Sequence, residues 1–336
     1  MEISRRKNAF NVTGQQYVTV EGFEIVGYAG GSTDWNSGTA LLVGMPGGGG
    51  ITFRRNKVHD LTSWSGAAAV SANRVSRLTV TDNEFDRLQR GGGVGVGTAS
   101  SDILVQGNRF SQIGRTGIAI LGAERVWLDR NTVTDLYSVH ANGMAIYLDN
   151  RDVLVSNNQV RRTPRAITFQ GGPASDRLTI RHNLLLGSGR DGSAIQSWGD
   201  KARGVTIEGN VIAVDEGGAA ALRLNGGNTG LTIQNNLIMG LLINGAAPGD
   251  WVVSNNIYAL ENYGGRTGSA AVFDGQNRFK SGLGRAGLSL AKDASTDDPN
   301  LCEVLLRADT TPPAWLGQLG GDPPASGVGP AGACVK

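Results

Sequence analysis

Between Ile51 and Tyr258 the apolar and polar positions recur in one phrase: apolar, any, apolar, any, any, Asn, any, apolar. It reads Ile51/Phe53/Asn56/Val58, Leu78/Val80/Asn83/Phe85, Ile103/Val105/Asn108/Phe110, Val126/Leu128/Asn131/Val133 and Val153/Val155/Asn158/Val160. It continues through Leu178/Ile180/Asn183/Leu185, Val205/Ile207/Asn210/Ile212, Leu231/Ile233/Asn236/Ile238 and Trp251/Val253/Asn256/Tyr258. The nine Asn are 27, 25, 23, 27, 25, 27, 26 and 20 residues apart, a spacing that signals a solenoid. Two apolar residues two apart predict a short strand with one buried face. Asn ends that strand, because it tolerates the left-handed backbone of a sharp bend, and the next apolar residue opens another. Stacked amides can hydrogen-bond from coil to coil as a ladder. Turn asparagines scattered through a sandwich would not hold four positions in one register over nine copies.

A second strand lies between successive phrases: Val94–Val96, Ile118–Ile120, Ile146–Leu148, Ile167–Phe169, Ile195–Ser197 and Leu222–Leu224. Three short strands per coil predict an all-β, single-stranded right-handed parallel β-helix of about eleven coils, with an Asn ladder, over residues 1–280. Tyr17–Ile25 fits as an atypical first coil with Phe23 in the Asn slot, and Ala271–Phe279 as a degraded last one. The Gly- and Ser-rich segment from Gly27 to Gly50 is expected to project as a loop. From Ser281 the period is lost and Pro and Gly accumulate, so residues 281–336 are expected to form an irregular C-terminal capping tail.

Copies such as Val126-Trp-Leu-Asp-Arg-Asn131 and Leu231-Thr-Ile-Gln-Asn-Asn236 resemble the parallel β-helix repeat of the pectate-lyase-like superfamily, over residues from about 17 to about 280. That resemblance implies extended polysaccharide bound across one face of the solenoid and cleaved by a lyase or hydrolase. It speaks for the fold more than for the activity, because the repeated residues are structural.

Composition adds little. Gly 51 of 336 residues with 6% aromatics suits tight turns between thin strands. A net charge of +2 gives no bulk reason to expect nucleic acid, and no apolar run reaches membrane-spanning length. Cys302 and Cys334 both fall in the tail, as a disulfide pair or as two free thiols; a pair would suit a secreted or periplasmic protein. Met1-Glu-Ile-Ser enters a strand-like region almost at once, so a leader or an upstream domain is expected to have been removed. Walker, Cys-x-x-Cys, His-Glu-x-x-His and Gly-x-Ser-x-Gly motifs are absent, and the Gly91–Gly97 run lies within the repeat with no helix pattern after it.

Chemistry is expected on the second strand stack. If Ile146/Leu148, Ile167/Phe169, Ile195/Ser197 and Leu222/Leu224 point inward, alternation turns Tyr147, Asp149, Thr168, Gln170, Gln196, Trp198, Arg223 and Asn225 outward. Arg115, His140, Asn142, Arg165, Arg190 and Asp191 stand in the turns feeding those strands. Arginines from four coils favour an acidic, uronate-bearing glycan, against the alternative of ordinary solvated arginines. By the resemblance, β-elimination is the expected reaction: Arg165, joined by Arg190, neutralises the carboxylate, His140 removes the neighbouring proton and Tyr147 protonates the leaving oxygen. Arg115, Asn142, Asp149, Gln170, Asp191, Gln196, Trp198 and Arg223 would hold flanking sugars. His140 has an ordinary alternative as a turn residue bonded to backbone, and Trp198 as cover for a loop. Asp149, Asp191, Asp200 and Glu216 supply two other options: Ca²⁺ bridging a substrate carboxylate, or an acid–base pair in a hydrolase or epimerase. A non-catalytic glycan-binding adhesin is the third reading. No metal ligand set is identified.

Overall fold

The paired apolar positions of each phrase turn into the solenoid interior: Ile51, Phe53, Leu78, Val80, Ile103 and Val105 are all 0% exposed. Each such side chain taken out of water contributes roughly 1.5–3 kcal/mol. The protein is represented by a computed structural model that describes residues 7–27, 38–62, 67–138, 140–187, 192–199, 201–214, 220–239, 241–244, 250–254, 256–259 and 278–280. Within them the chain winds as a right-handed parallel β-helix with three sheets of ten, ten and eleven strands, every recorded strand pair being parallel. Ten three-sided coils are complete, and Arg278–Lys280 adds one further strand to the third sheet. This is one complete coil fewer than the sequence suggested. The tail from residue 281, with both cysteines, lies outside the described residues.

The first sheet begins at Asn8–Asn11 and continues through Thr39–Val43, Ala68–Ala72, Gly92–Val96 and Thr116–Leu121 before reaching Asn142–Leu148. Part of the Gly27–Gly50 segment expected as loop is therefore strand, since Thr39–Val43 is buried throughout and pairs on both sides. The second sheet carries the apolar pair of each phrase, and the third carries the apolar residue after the Asn. The Asn ladder forms between them. Nδ2 of Asn56, Asn83, Asn108 and Asn131 donates to Oδ1 of the Asn in the next coil at 2.9–3.1 Å. The run continues through Asn158, Asn183, Asn210 and Asn236 to Asn256 at 2.9–3.0 Å. Backbone N–H groups donate to the same oxygens, and at the first coil Phe23 N–H caps the ladder on Asn56 Oδ1 at 2.9 Å.

The left-handed residue is not the ladder Asn but the one before it. Arg55, Asp82, Gly107, Arg130, Asn157, His182, Gly209 and Asn235 have φ between 50° and 67°. That bend turns the following Asn amide inward along the stack, where neighbours and backbone carbonyls satisfy it. A second left-handed corner sits six residues before each ladder Asn, at Arg77, Asp102, Arg125, Asp152 and Arg177. Charge alternates along this column. Arg125 grips Asp102 in two bonds (2.6 and 3.0 Å), and Arg177 grips Asp152 in the same way. A third corner repeats the device with Asp60–Arg87 and Asp135–Arg162.

At the start of the first-sheet strands the coils approach closely. A Cβ at Gly117 would lie 2.6 Å from the Gly143 carbonyl oxygen, and one at Gly143 would lie 2.6 Å from that of Ala166. The Gly91–Gly97 run thus contributes a strand, Gly92–Val96, to the same sheet.

Candidate functional site

Four strands of the first sheet, Asn142–Leu148, Arg165–Gly171, Ser193–Ser197 and Ala220–Leu224, carry the predicted face. Their register pairs Met144 with Ile167 and Ile195, and Ile146 with Phe169 and Ser197. The inward pair in the first of these strands is therefore Met144 and Ile146, not Ile146 and Leu148. Leu148 is left-handed (φ 69°) and 48% exposed, because the strand turns there. The slip is of two residues, so alternation is preserved and Tyr147 still faces outward.

Two outward columns result. Ser71, Gly95, Ala119, Ala145, Thr168, Gln196 and Arg223 are in register in one, small at first and then larger. Leu121, Tyr147 and Gln170 follow each other in the second, and Trp198 comes one residue after Ser197, the partner of Phe169. Tyr147 and Trp198 stack, with ring centroids 6.3 Å apart and planes 7° from parallel. The Arg165 guanidinium lies 5.7 Å from the Trp198 ring centroid, a cation–π contact. Arg165 Nε donates to Gln196 Oε1 at 2.9 Å, and Ser193 Oγ donates to the same oxygen at 3.1 Å. Thr168 Oγ1 donates to Asn142 Oδ1 (2.7 Å), and Asn142 Nδ2 donates to the His140 carbonyl (3.0 Å). Ala145, Thr168 and Gln196 are buried although they face outward, while Trp198 remains 38% exposed as a platform.

Burial pushes the Tyr147 hydroxyl above the usual phenol range. Thr168, Arg165, Arg115 and Asn142 pull in the opposite direction, in that order, and lose. Tyr147 therefore holds its proton at neutral pH and can donate it. The structure thus brings together Tyr147, Asn142, Arg165, Gln196 and Trp198, with the Arg115 charge acting on Tyr147. Gln170 is in register with Tyr147 one coil further on, and Arg223 is in register with Gln196 in the same way.

His140 is exposed and lines an adjoining corner cleft of about 550 Å³ with Gln89, Arg90, Gly114, Arg115, Tyr137 and Ser138. Its N–H is bonded to Ser138 Oγ at 3.3 Å and its carbonyl to Asn142, so its backbone fixes the turn. Asp149 has a structural role: Oδ1 accepts the Ala174 N–H at 2.7 Å, capping the turn of the next coil. Arg190 and Asp191, like Asp200 and Glu216, lie outside the described residues. Among the described residues, no three His, Cys, Asp or Glu side chains gather as a metal site.

Sequence reasoning passed over Ser193, Arg90 and Tyr137. Their signal was positional: Thr116, Asn142, Arg165 and Ser193 share one register, and Arg90 and Tyr137 lie in the turns leading into that edge. Thr stands between the apolar pair in five of the phrases, at Thr52, Thr79, Thr179, Thr206 and Thr232. On the second sheet, however, Leu104, Trp127 and Leu154 stack in register, with Trp127 only 2% exposed. Trp127 Nε1 donates to Ser156 Oγ at 2.8 Å, and Ser156 Oγ and Asn157 Nδ2 both donate to buried Asp129.

A family model described as "Right handed beta helix region" matches residues 40–212, just over half of the chain. No curated protein sequence matches. Among solved structures, "The complex structure of XylC with xylose" matches with a TM-score of 0.48 at 12% identity, covering 72% of this chain and 51% of that one. The chain therefore spans about half the length of that protein.

Proposed function

We propose that this chain, which belongs to the right-handed β-helix family, binds an acidic polysaccharide along the outward face of its first sheet and cleaves it by β-elimination. The observation that supports this most is the joint placement of a proton-holding Tyr147, the Arg165 cation and the exposed Trp198 ring on one open face. Trp198 offers a stacking surface to a sugar ring. Arg165, with Arg115 nearby, neutralises a uronate carboxylate and so acidifies the adjoining C–H. His140 takes that proton, the C–O bond to the leaving sugar breaks, and Tyr147 donates its proton to the departing oxygen. A carbon–carbon double bond remains in the product. Secretion or a periplasmic location accompanies this reading, because polymeric substrates are met outside the cytoplasm.

One observation bears on the alternatives. The Asp149 Oδ1 is committed to a backbone turn, which weighs against Asp149 as one member of an acid–base carboxylate pair for hydrolysis or epimerisation. A purely glycan-binding protein would use the same platform without turnover. Incubation with a panel of uronate polysaccharides distinguishes these. New ultraviolet absorbance from an unsaturated uronate, lost in Tyr147→Phe, supports the lyase; reducing ends without that absorbance refute it.

A further inference from the structure

We propose that the corner cleft beside the Tyr147 cluster is an adjoining subsite for an anionic sugar unit, sharing Arg115 and His140 with the reacting face, with Arg90 and Tyr137 as its specificity-determining residues. This rests on the reading of the first-sheet face as a glycan site, and it gives that site a selective neighbour.

Three consecutive coils build the cleft. Gln89 and Arg90 come from one, Gly114 and Arg115 from the next, and Tyr137, Ser138 and His140 from the third. Gly114 makes this possible, because a Cβ there would stand 2.4 Å from the Arg90 backbone nitrogen and would force the coils apart. The volume of about 550 Å³ is in the range of small-ligand sites and admits a sugar unit. The lining contains two arginines and a histidine but no Asp or Glu, so its field favours an anion. Tyr137 is 61% exposed and gives a flat apolar face with a hydroxyl at its edge, as a pyranose ring requires. Ser138 supplies a further hydroxyl. The neighbouring residues tie this cleft to the reacting face: the Arg115 charge acts on the Tyr147 hydroxyl, and Asn142 bonds both to the His140 carbonyl and to Thr168. An anionic group here, whether carboxylate or sulfate ester, meets arginine donors that recognise planar or tetrahedral oxyanions.

The test uses the full chain and three sets of oligosaccharides of equal length: uronate-bearing, sulfated and neutral. Binding is followed by calorimetry, and turnover by the formation of unsaturated product. Arg90 is left-handed (φ 64°), so the variant is Arg90→Asn, which tolerates that backbone, with Tyr137→Ala as the second. Neither residue belongs to the proposed catalytic group. A lost charge-assisted pair, about 1.5–3 kcal/mol, predicts about 10- to 100-fold weaker binding of the preferred anionic oligosaccharide and a matching rise in KM, with kcat preserved. Neutral oligosaccharides should bind the wild type and both variants alike. Comparison of the uronate and sulfate sets assigns the anion. If the wild type binds and cleaves an acidic glycan but both variants behave as wild type, the subsite is refuted and the lyase reading stands. If the variants lose binding while the wild type shows no turnover, the subsite stands and the lyase reading falls. A wild type that binds none of the acidic sets overturns both.

Discussion

Replacing Asn131 by alanine would cut the ladder near its middle, and the cost can be worked from its bonds. Asn131 is 1% exposed. Its Nδ2 donates to Val105 O (2.8 Å) and Asn158 Oδ1 (3.0 Å), while its Oδ1 accepts from the Asn108 N–H (3.1 Å) and Asn108 Nδ2 (3.0 Å). Truncation strips the buried Asn108 N–H of its side-chain acceptor and removes three further bonds. At about 1–3 kcal/mol for a buried donor left without its partner and about 1 kcal/mol for each other bond, the loss is about 4–6 kcal/mol. A solenoid need not unfold in one step, so a single midpoint is the wrong measurement. Native-state hydrogen exchange at the amides of Asn108 and its neighbours is the suitable one: a loss of about 4 kcal/mol speeds local opening by roughly 1000-fold. Asn131→Asp keeps the acceptor but points a second oxygen at the Val105 carbonyl and at Asn158 Oδ1, so it should do no better. Thr132→Ala, a half-buried neighbour, is the control and should change exchange little. Protection at Asn108 falling less than about fivefold in Asn131→Ala, or an unperturbed Asn131→Asp, would show that the ladder is incidental to stability.

Other outcomes are expected. Gly117→Ala should cost about 2–3 kcal/mol in chemical denaturation, because its Cβ meets the Gly143 carbonyl at 2.6 Å and neither backbone can yield freely. Trp198→Ala should weaken binding of an acidic oligosaccharide by about tenfold, the size of one aromatic contact, without altering the circular dichroism spectrum. Asp102, Asp135 and Asp152 are each held below the usual carboxylate range, first by an arginine of the next coil. Their stabilisation is present above the unfolded range near about 4 and lost as pH falls below it, so thermal stability should drop there. Asp102→Asn should blunt that drop while costing only about 0.5–1 kcal/mol at neutral pH, since the pair is partly exposed. Tyr147 runs the other way: its raised pKa adds stability that holds below about pH 10 and is lost as pH rises further, a loss that Tyr147→Phe should remove.

The sequence disclosed the fold because a period-two apolar pair and a buried Asn must recur at the same point of every coil. The outward placement of Tyr147, Thr168, Gln196 and Trp198 followed from alternation alone, and it survived the two-residue slip at Met144/Ile146. What escaped was conformation at single residues. The left-handed corner beside each Asn is filled by Arg, Asp, Gly, His or Asn with no shared side chain, so no letter marks it. Asp149 read as a groove carboxylate because its acceptor role depends on a backbone N–H of the next coil, Ala174. Arg90 and Tyr137 sit in turns of unequal length, where counting along the chain loses the alignment that coil stacking restores.

The alternating corner column also limits how such a molecule can change length. Arg77, Asp102, Arg125, Asp152 and Arg177 repeat electrically every second coil, whereas the backbone repeats every coil. Duplicating one coil within this region would set arginine beside arginine or aspartate beside aspartate; duplicating two would leave every neighbour opposite in sign. Growth here is therefore favoured in even steps, a parity rule written in charge on a scaffold whose hydrogen bonds impose none.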